Sequence, residues 1–245
     1  MKYNTVIFDM DGTILNTVDD LTASVNFAME ACGHRHDFTC EDTKCLFGSG
    51  AHTALQRALA MEAGVTDPAA LLRIGAAENT GEALAGKPAG LQINEQEVLR
   101  IEEIQRPYYL EHSDDHAGPY DGIMDLLRAL RLKGYKTAVV SNKQDPAVRK
   151  LAERYFDNLF DAALGEQPGI RRKPAPDMME SVLRQLDIDA GQALYLGDSE
   201  VDVETARNAH MDCICVSWGF RPREFLASLH PLAVIDSPLE LLSYL

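Results

Sequence analysis

The chain has 245 residues, enough for one large α/β domain or for a core domain with a smaller insert. Its 46% of apolar residues permit a sizeable core, while a formal net charge of −15 argues against nucleic acid and anionic membranes as partners. A small anionic ligand is not excluded, because a local cluster of cations or a bound metal is enough to hold it.

The cysteines, an odd number at scattered spacings, point to reduced thiols in a cytoplasmic protein. The N-terminal apolar run is too short for a signal peptide, and no segment approaches the ~20 apolar residues that a membrane span needs. Cys213 and Cys215 lie in an apolar run. We interpret them as small buried hydrophobic residues rather than as metal ligands.

Short apolar runs predict strands at 5–8, 137–140, 193–196, 214–216 and 233–235. Each run is continuous rather than alternating, which is typical of strands covered on both faces. Helical patterns at 122–133, 146–154, 176–186 and 201–208 lie among them. The alternation predicts an α/β fold with a doubly wound, Rossmann-like parallel sheet. Ligands of such sheets bind beyond the carboxyl ends of the strands, where Asp9, Ser141 and Asp198 fall.

The segment after the first strand differs in character. Helical patterns cover 19–31, 51–62, 68–84 and 95–111, and Pro107 is expected to kink or restart the last of them. We therefore predict a core domain, 1–16 and 117–245, and an inserted helical domain, 17–116. The Gly- and Pro-containing segment 118–122 is the predicted linker back to the core. Arg57, in the insert, is interpreted as a solvated helix residue rather than as an anion ligand.

The first strand ends at two carboxylates, Asp9 and Asp11. Like charges this close raise each other's pKa unless a metal or a proton intervenes. One carboxylate can then act as a nucleophile while the other, protonated, acts as a general acid. Gly12 permits the close backbone approach that a phosphoryl group needs, although Asp-Gly pairs also form ordinary turns.

The second and third candidate stretches supply a hydroxyl and a cation. Ser141 follows a strand and precedes a helix that can start at Pro146, so its hydroxyl and nearby amides can donate to a phosphoryl oxygen. The same residues also suit an ordinary loop. Arg171 and Arg172 are interpreted as solvated, whereas Lys173, in a Pro-flanked loop, suits both a carboxylate nucleophile and a transferring phosphoryl group.

The fourth stretch again carries two carboxylates. Asp198 ends a strand and Asp202 falls in the first turn of the next helix, so the two could share one cation. Magnesium prefers oxygen ligands and usually takes one or two carboxylates directly. Asp202 is equally consistent with a residue that only stabilises the helix N-terminus.

Taken together, these stretches resemble the four motifs of the haloacid dehalogenase superfamily of phosphatases, and the phosphoglycolate phosphatase type is the most similar branch. The matching stretches are Asp9-Met10-Asp11-Gly12-Thr13, Ser141, Lys173 and Gly197-Asp198-Ser199-Glu200-Val201-Asp202. The helical insert, 17–116, looks like the cap domain of that superfamily.

The resemblance implies a Mg²⁺ cofactor and a set of roles around it. Asp9 is the nucleophile and a metal ligand. Asp11 is the general acid and base, and its backbone carbonyl also binds the metal. Asp198 completes the protein ligands of the metal, and Asp202 supports the site from outside the coordination sphere.

The resemblance also implies the residues that bind the substrate. Ser141 and Lys173 hold the phosphoryl group, Asn142 lends it a donor, and Gly12 and Thr13 belong to the loop around it. The expected partner is a small phosphorylated metabolite, with 2-phosphoglycolate favoured, and the expected assembly is a monomer or a homodimer.

Several other functions stay open at this stage. The same motifs serve inorganic pyrophosphatases, nucleotidases and sugar-phosphate phosphatases. A sugar phosphomutase of the β-phosphoglucomutase type would transfer the phosphoryl group to a second hydroxyl instead of to water. A signalling receiver domain also phosphorylates an Asp but does not explain so long an insert, and a catalytically silent binding protein would be expected to have lost one of the motifs.

Overall fold

A computed structural model describes residues 2–75 and 91–245 of the chain. The chain divides into two compact units, Met1–Asn16 with Gly118–Leu245, and Thr17–Ala117. The first unit contains a parallel sheet with helices, and the second is helical. Among the described residues, we find no helix with the length and apolar character needed to cross a membrane.

The elements are numbered along the chain. The strands are β1 (Thr5–Phe8), β2 (Leu15–Asn16), β3 (Gly118–Pro119), β4 (Lys136–Gln144), β5 (Ala162–Glu166), β6 (Ala193–Gly197), β7 (Asp212–Val216) and β8 (Ala233–Ile235). The helices are α1 (Val18–Ala31), α2 (Cys40–Leu46), α3 (Ala51–Glu62), α4 (Pro68–Arg73), α5 (Glu95–His112), α6 (Ile123–Leu132), α7 (Asp145–Phe156), α8 (Asp177–Leu186), α9 (Glu200–Asn208) and α10 (Arg223–Ser228).

The sheet confirms the predicted doubly wound parallel architecture. Its strand order is β5-β4-β1-β6-β7-β8, and all neighbours are parallel. Strand β1 lies between β4 and β6, with Phe8 in register with Val139 on one side and Leu196 on the other. The order of the strands therefore reverses at β1, and the ends of these three strands form the crevice where such folds bind ligands.

Burial of both faces explains why the strand sequences are continuous apolar runs. Along β1, Val6 and Phe8 belong to one hydrophobic cluster, with residues of α6 and α7. Ile7 belongs to the cluster on the opposite face, with residues of α8 and α9. Cys213 and Cys215 are buried free thiols of this second cluster, as predicted.

Strands β4 and β5 of the sheet unit differ from the sequence prediction. Strand β5 was not predicted, because its sequence contains alanine and glycine and no β-branched residue. Strand β4 does not end at residue 140 but continues to Gln144, with a register shift against β5 between Val140 and Gln144. This irregularity places Ser141 and Asn142 within the strand, beside the end of β1.

The helical unit also differs from the prediction in places. Helix α2 was not predicted, and α4 ends at Arg73, while residues 76–84 of the predicted helix 68–84 lie outside the described residues. Helix α5 runs without a break through Pro107. Its packing against α1 and α3 outweighs the loss of one backbone hydrogen bond.

The interpretation of Arg57 as a solvated residue is wrong. Its side chain is 1% exposed, and its guanidinium donates to backbone carbonyls at the ends of two helices. The acceptors are the oxygens of Leu46 at 2.8 Å, Leu72 at 3.2 Å and Ile74 at 3.3 Å. The carbonyls at helix C-termini lack partners within their own helix, so Arg57 supplies donors that the backbone does not.

We expect replacement of Arg57 to destabilise the helical unit. Arg57→Met keeps the apolar stem but leaves these buried carbonyls without a donor, which lowers the free energy of unfolding by about 2–4 kcal/mol. Arg73→Met is the matched control, because Arg73 is exposed at the end of α4 and its replacement costs less than about 0.5 kcal/mol. Urea denaturation measures both values, and equal losses would contradict the structural role of Arg57.

Candidate active site

The site at the sheet edge is organised around the buried ammonium of Lys173. Its Nζ lies 2.7 Å from Asp9 Oδ1, 2.8 Å from Asp202 Oδ1 and 2.9 Å from the hydroxyl of Tyr195. Lys173 is 1% exposed. Burial opposes the charged form, but the two carboxylates outweigh this effect and raise the pKa of Lys173. The lysine is therefore a permanent cation beside Asp9.

The loop that carries Lys173 is fixed by Asn142 in β4. The Asn142 side chain accepts from the backbone N–H of Lys173 at 2.8 Å and donates to its carbonyl at 2.9 Å. The predicted donation of Asn142 to a phosphate stays a prediction, and its contacts with Lys173 are an additional role. An Asn side chain carries both an acceptor oxygen and donor hydrogens, so Asn142 can satisfy both backbone groups of Lys173.

Asp202 stabilises the start of α9, one of the two roles that the sequence left open, and also contacts Lys173. Its Oδ2 accepts from the backbone N–H and hydroxyl of Ser199 at 3.1 and 2.6 Å, which forms the capping box of α9. Its Oδ1 accepts from Lys173 and, at 2.7 Å, from Tyr195. Burial opposes ionisation, yet these partners hold the pKa of Asp202 below its ordinary value. Asp202 therefore caps a helix and pairs with Lys173.

Asp198 follows β6 and is held from two loops. Its Oδ1 accepts from the Thr13 hydroxyl at 3.2 Å, and its Oδ2 accepts from the backbone N–H of Phe220 at 2.7 Å. Thr13, predicted to bind substrate, is fully buried, so its hydroxyl serves Asp198. Gly12 has a φ of +79°, and a Cβ there would lie 2.3 Å from Asp198 Oδ2. Glycine is thus required at position 12 by the approach of Asp198.

The remaining predicted residues lie on β4 and in the first loop. Asp11 Oδ1 is 2.7 Å from the ammonium of Lys143, whose side chain is 3% exposed. Ser141 is 2% exposed, and its Oγ accepts from the backbone N–H of Lys143 at 3.3 Å. The structure therefore brings all the predicted site residues to one edge of the sheet, with Lys143 as an additional cation among them.

The charges of the site favour a bound cation. Carboxylate oxygens of Asp9, Asp198 and Asp202 lie within 4.8 Å of one another, with Lys173 as the ammonium that contacts two of them. Burial is the largest cause that raises the pKa of Asp9 to about 7 and that of Asp198 well above its ordinary value. Neighbouring carboxylates add to both shifts. An all-oxygen cluster with uncompensated negative charge fits a hard divalent ion.

Asp9 and Asp198 are better placed than Asp202 to bind that ion. Each oxygen of Asp202 already accepts two or more hydrogen bonds from protein donors, whereas each oxygen of Asp198 accepts one. Asp9 Oδ1 accepts from Lys173, whereas Oδ2 accepts no hydrogen bond from the residues that the structure describes. The unshared Oδ2 is also the oxygen that a nucleophilic role would require.

Sequence reasoning did not identify every residue of this site. Tyr195 lies in a predicted apolar strand, and Lys143 ends the candidate stretch around Ser141 without a predicted role. The segment 218–221 was not considered, although Trp218 donates to the carbonyl of Thr13 at 3.0 Å and Phe220 to Asp198. A cation directly after Ser141-Asn142 was a usable signal for Lys143. The role of Phe220 comes from its backbone, which leaves no signal in residue type.

Comparisons with known proteins agree with these observations. The model of the haloacid dehalogenase-like hydrolase family matches residues 6–216. Phosphoglycolate phosphatase 1 of Pseudomonas aeruginosa is 29% identical over 241 residues, covering 97% of this chain and 78% of that protein. Pyrophosphatase PpaX of Listeria monocytogenes is 25% identical over 243 residues, covering 99% of this chain and 96% of that protein.

A solved structure is more similar still. A protein from Lactobacillus delbrueckii subsp. bulgaricus, provisionally assigned as a phosphoglycolate phosphatase, is 47% identical with a TM-score of 0.90. The match covers 98% of this chain and 97% of that one. The family model also spans every stretch in which the site residues predicted from the sequence lie, from Asp9 to Asp202. The chain therefore belongs to the haloacid dehalogenase-like hydrolase family.

Proposed function

We propose that the chain is a Mg²⁺-dependent phosphatase that hydrolyses a small phosphomonoester through an aspartyl-phosphate on Asp9. The main support is the position of Asp9. Its Oδ1 pairs with the buried ammonium of Lys173 at 2.7 Å, while Oδ2 has no hydrogen-bond partner among the described residues. A carboxylate held in this way presents one oxygen for attack and keeps the other beside a positive charge.

In the first step, Oδ2 of Asp9 attacks the phosphorus atom and the bond to the leaving oxygen breaks. Asp11 donates a proton to the leaving oxygen, which departs as an alcohol. Lys173 offsets the repulsion between the carboxylate and the phosphate dianion, and the Ser141 hydroxyl donates to a phosphoryl oxygen. Lys143, paired with Asp11, restrains the carboxyl group of the acid.

In the second step, water attacks the phosphorus of the aspartyl-phosphate. Asp11, now a carboxylate, accepts a proton from that water, and the bond between phosphorus and Asp9 breaks. The products are inorganic phosphate and the restored carboxylate of Asp9. The proton that Asp11 gave to the leaving group in the first step is thereby replaced, so the cycle closes.

Asp9, Asp198 and the backbone carbonyl of Asp11 are the proposed metal ligands. The excess negative charge of the cluster and its oxygen donors fit Mg²⁺. The ion would neutralise negative charge on the phosphoryl oxygens and on the carboxylates around them. Tyr195 and Asp202 position the ammonium of Lys173, and Asn142 holds its backbone.

The favoured substrate is 2-phosphoglycolate. The support is the similarity to Phosphoglycolate phosphatase 1 over nearly the whole chain. Pyrophosphate is the second candidate, because a pyrophosphatase matches over a similar length at 25% identity. A phosphomutase remains a mechanistic alternative. We also propose that residues 17–116 form the cap domain and that the protein is cytoplasmic.

Asp9→Asn should abolish phosphate release. The amide is a far weaker nucleophile and removes a metal ligand, so we expect kcat to fall by about 1,000-fold or more. Phosphate release from 2-phosphoglycolate is measured with Mg²⁺ and with EDTA, and EDTA should abolish it as well. Asp125→Asn is the control, since Asp125 lies exposed on α6 and its replacement should leave the rate unchanged. Substantial release by Asp9→Asn would rule out the aspartyl-phosphate.

A panel of phosphorylated metabolites tests the substrate. We expect 2-phosphoglycolate to give the highest kcat/KM, exceeding pyrophosphate, nucleotides and hexose phosphates by about tenfold, or about 1.4 kcal/mol of transition-state binding. A higher value for pyrophosphate would reassign the substrate. A product that retains the phosphoryl group on a different hydroxyl would identify a mutase instead.

Stabilisation by Mg²⁺ should increase with pH. Without metal, Asp9 keeps its proton in the folded state up to about pH 7, but in the unfolded chain it loses the proton near its ordinary pKa of 3.8. The metal-free protein therefore loses stability as the pH rises between these values. Because a cation must displace this proton, the increase in Tm on adding Mg²⁺ should be larger at about pH 8 than at about pH 6.

Differential scanning fluorimetry measures this effect, with Asp9→Asn as the matched control. The variant lacks the titrating carboxylate, so its response to Mg²⁺ should be smaller and should depend less on pH. If Mg²⁺ increases the Tm of the unmodified protein equally at both pH values, Asp9 does not hold a proton that the cation must displace.

A further inference from the structure

The segment that follows β7, residues 217–222, contacts the loops that carry the proposed metal ligands. The indole Nε1 of Trp218 donates to the carbonyl of Thr13 at 3.0 Å, in the loop after β1. The backbone N–H of Phe220 donates to Asp198 Oδ2 at 2.7 Å, in the loop after β6. One short segment thus connects two of the loops of the site.

The backbone of this segment packs directly on Asp198. A Cβ at Gly219 would lie 2.4 Å from the Cβ of Asp198 and 2.5 Å from the carbonyl oxygen of Gly12. Such contacts are shorter than real Cβ atoms make, so a larger residue would displace one of the loops. The position of the Asp198 carboxylate is therefore coupled to the position of the segment.

A buried ion pair fixes the segment in that position. The guanidinium of Arg221 binds the carboxylate of Glu200 in a bidentate arrangement, Nε to Oε2 at 2.8 Å and Nη2 to Oε1 at 3.0 Å. Their side chains are 4% and 8% exposed. Glu200 lies two residues after Asp198, and Arg221 directly follows Phe220. The ion pair and the bond from Phe220 to Asp198 therefore join the same two loops.

We propose that Arg221 and Glu200 are positioning residues for the metal site: they hold the N–H of Phe220 against Asp198 and so set the affinity for the cation. This inference rests on the proposed function, because it assigns Asp198 as a metal ligand. Neither residue belongs to the carboxylate cluster, and neither contacts Asp9 or Lys173 through any hydrogen bond that the described residues make. Outer residues of this kind change metal affinity by about 10- to 100-fold.

The test is a titration of the metal-stripped protein with Mg²⁺, followed by the fluorescence of Trp218, which is the only tryptophan of the chain. Arg221→Lys keeps the charge but loses the bidentate arrangement. We expect it to raise the Kd for Mg²⁺ by about tenfold or more. The double variant Glu200→Met with Arg221→Met keeps the net charge unchanged and should also raise the Kd.

Arg223→Lys is the matched control. Arg223 lies two residues further along, and its partner Asp236 is exposed, so the Kd should stay within about twofold of the unmodified protein. Calorimetric titration of the same proteins checks the fluorescence, and both are run well below the melting temperature of each variant.

The possible results separate this inference from the proposed function. Mg²⁺ binding by the unmodified protein, weakened in Arg221→Lys and unchanged in Arg223→Lys, would support it. A lower Tm for Arg221→Lys with an unchanged Kd would overturn it, because the ion pair would then contribute only to stability. If the unmodified protein binds no Mg²⁺, the proposed metal site is wrong, and the positioning role of Arg221 and Glu200 is wrong as a consequence.

Discussion

The ion pairs of Lys173 with Asp9 and Asp202 are the interaction on which the rest of the site depends. Removing an ammonium from water into a protein interior costs roughly several kcal/mol unless its partners are close and well oriented. Here two carboxylates and a phenol hydroxyl lie within 2.9 Å of the nitrogen. These contacts keep the lysine charged, and they also draw the acidic loops after β1 and β6 together around it.

One ammonium cannot neutralise the carboxylates that this arrangement concentrates. Lys173 contacts Asp9 and Asp202, while among the described residues Asp198 accepts only from uncharged donors, a hydroxyl and a backbone N–H. The raised pKa values of Asp9 and Asp198 show that the metal-free site favours their protonated forms. The fold thus holds carboxylates close together at the end of its central strand, which is electrostatically unfavourable. A bound divalent ion would reduce the repulsion between them. Such local costs are typical of functional sites.

Stability and chemistry share the same residues in this protein. Asp202 caps α9 through Ser199 and also pairs with Lys173, so one carboxylate stabilises both the start of a helix and the cation of the site. Asn142 holds the backbone of Lys173 and is part of β4. Arg57 of the helical unit has a structural role in the same way, because its donors bind backbone carbonyls.

The sequence by itself determined the sheet and the identity of the reactive groups. Continuous apolar runs identified the central strands, since strands covered on both faces are rich in apolar residues. Asp9, Asp11 and Asp198 were recognisable because each follows such a run, and parallel strands present their carboxyl ends at one edge. Lys173 was recognisable as a cation in a Pro-flanked loop. Strand β5 was not predicted, because its small residues have low β propensity and it is a strand only through its pairing with β4.

The tertiary structure alone decided what each polar group contacts. It assigned Asn142 to the backbone of Lys173, Thr13 to Asp198, and Arg57 to the ends of two helices. It also brought Phe220 and Arg221 to the site, although both lie more than two hundred residues after Asp9 in the sequence. The physical reason is that hydrogen bonds and ion pairs depend on distances of about 3 Å and on direction. Residue type states which bonds a group can make, and only the folded chain selects the partner.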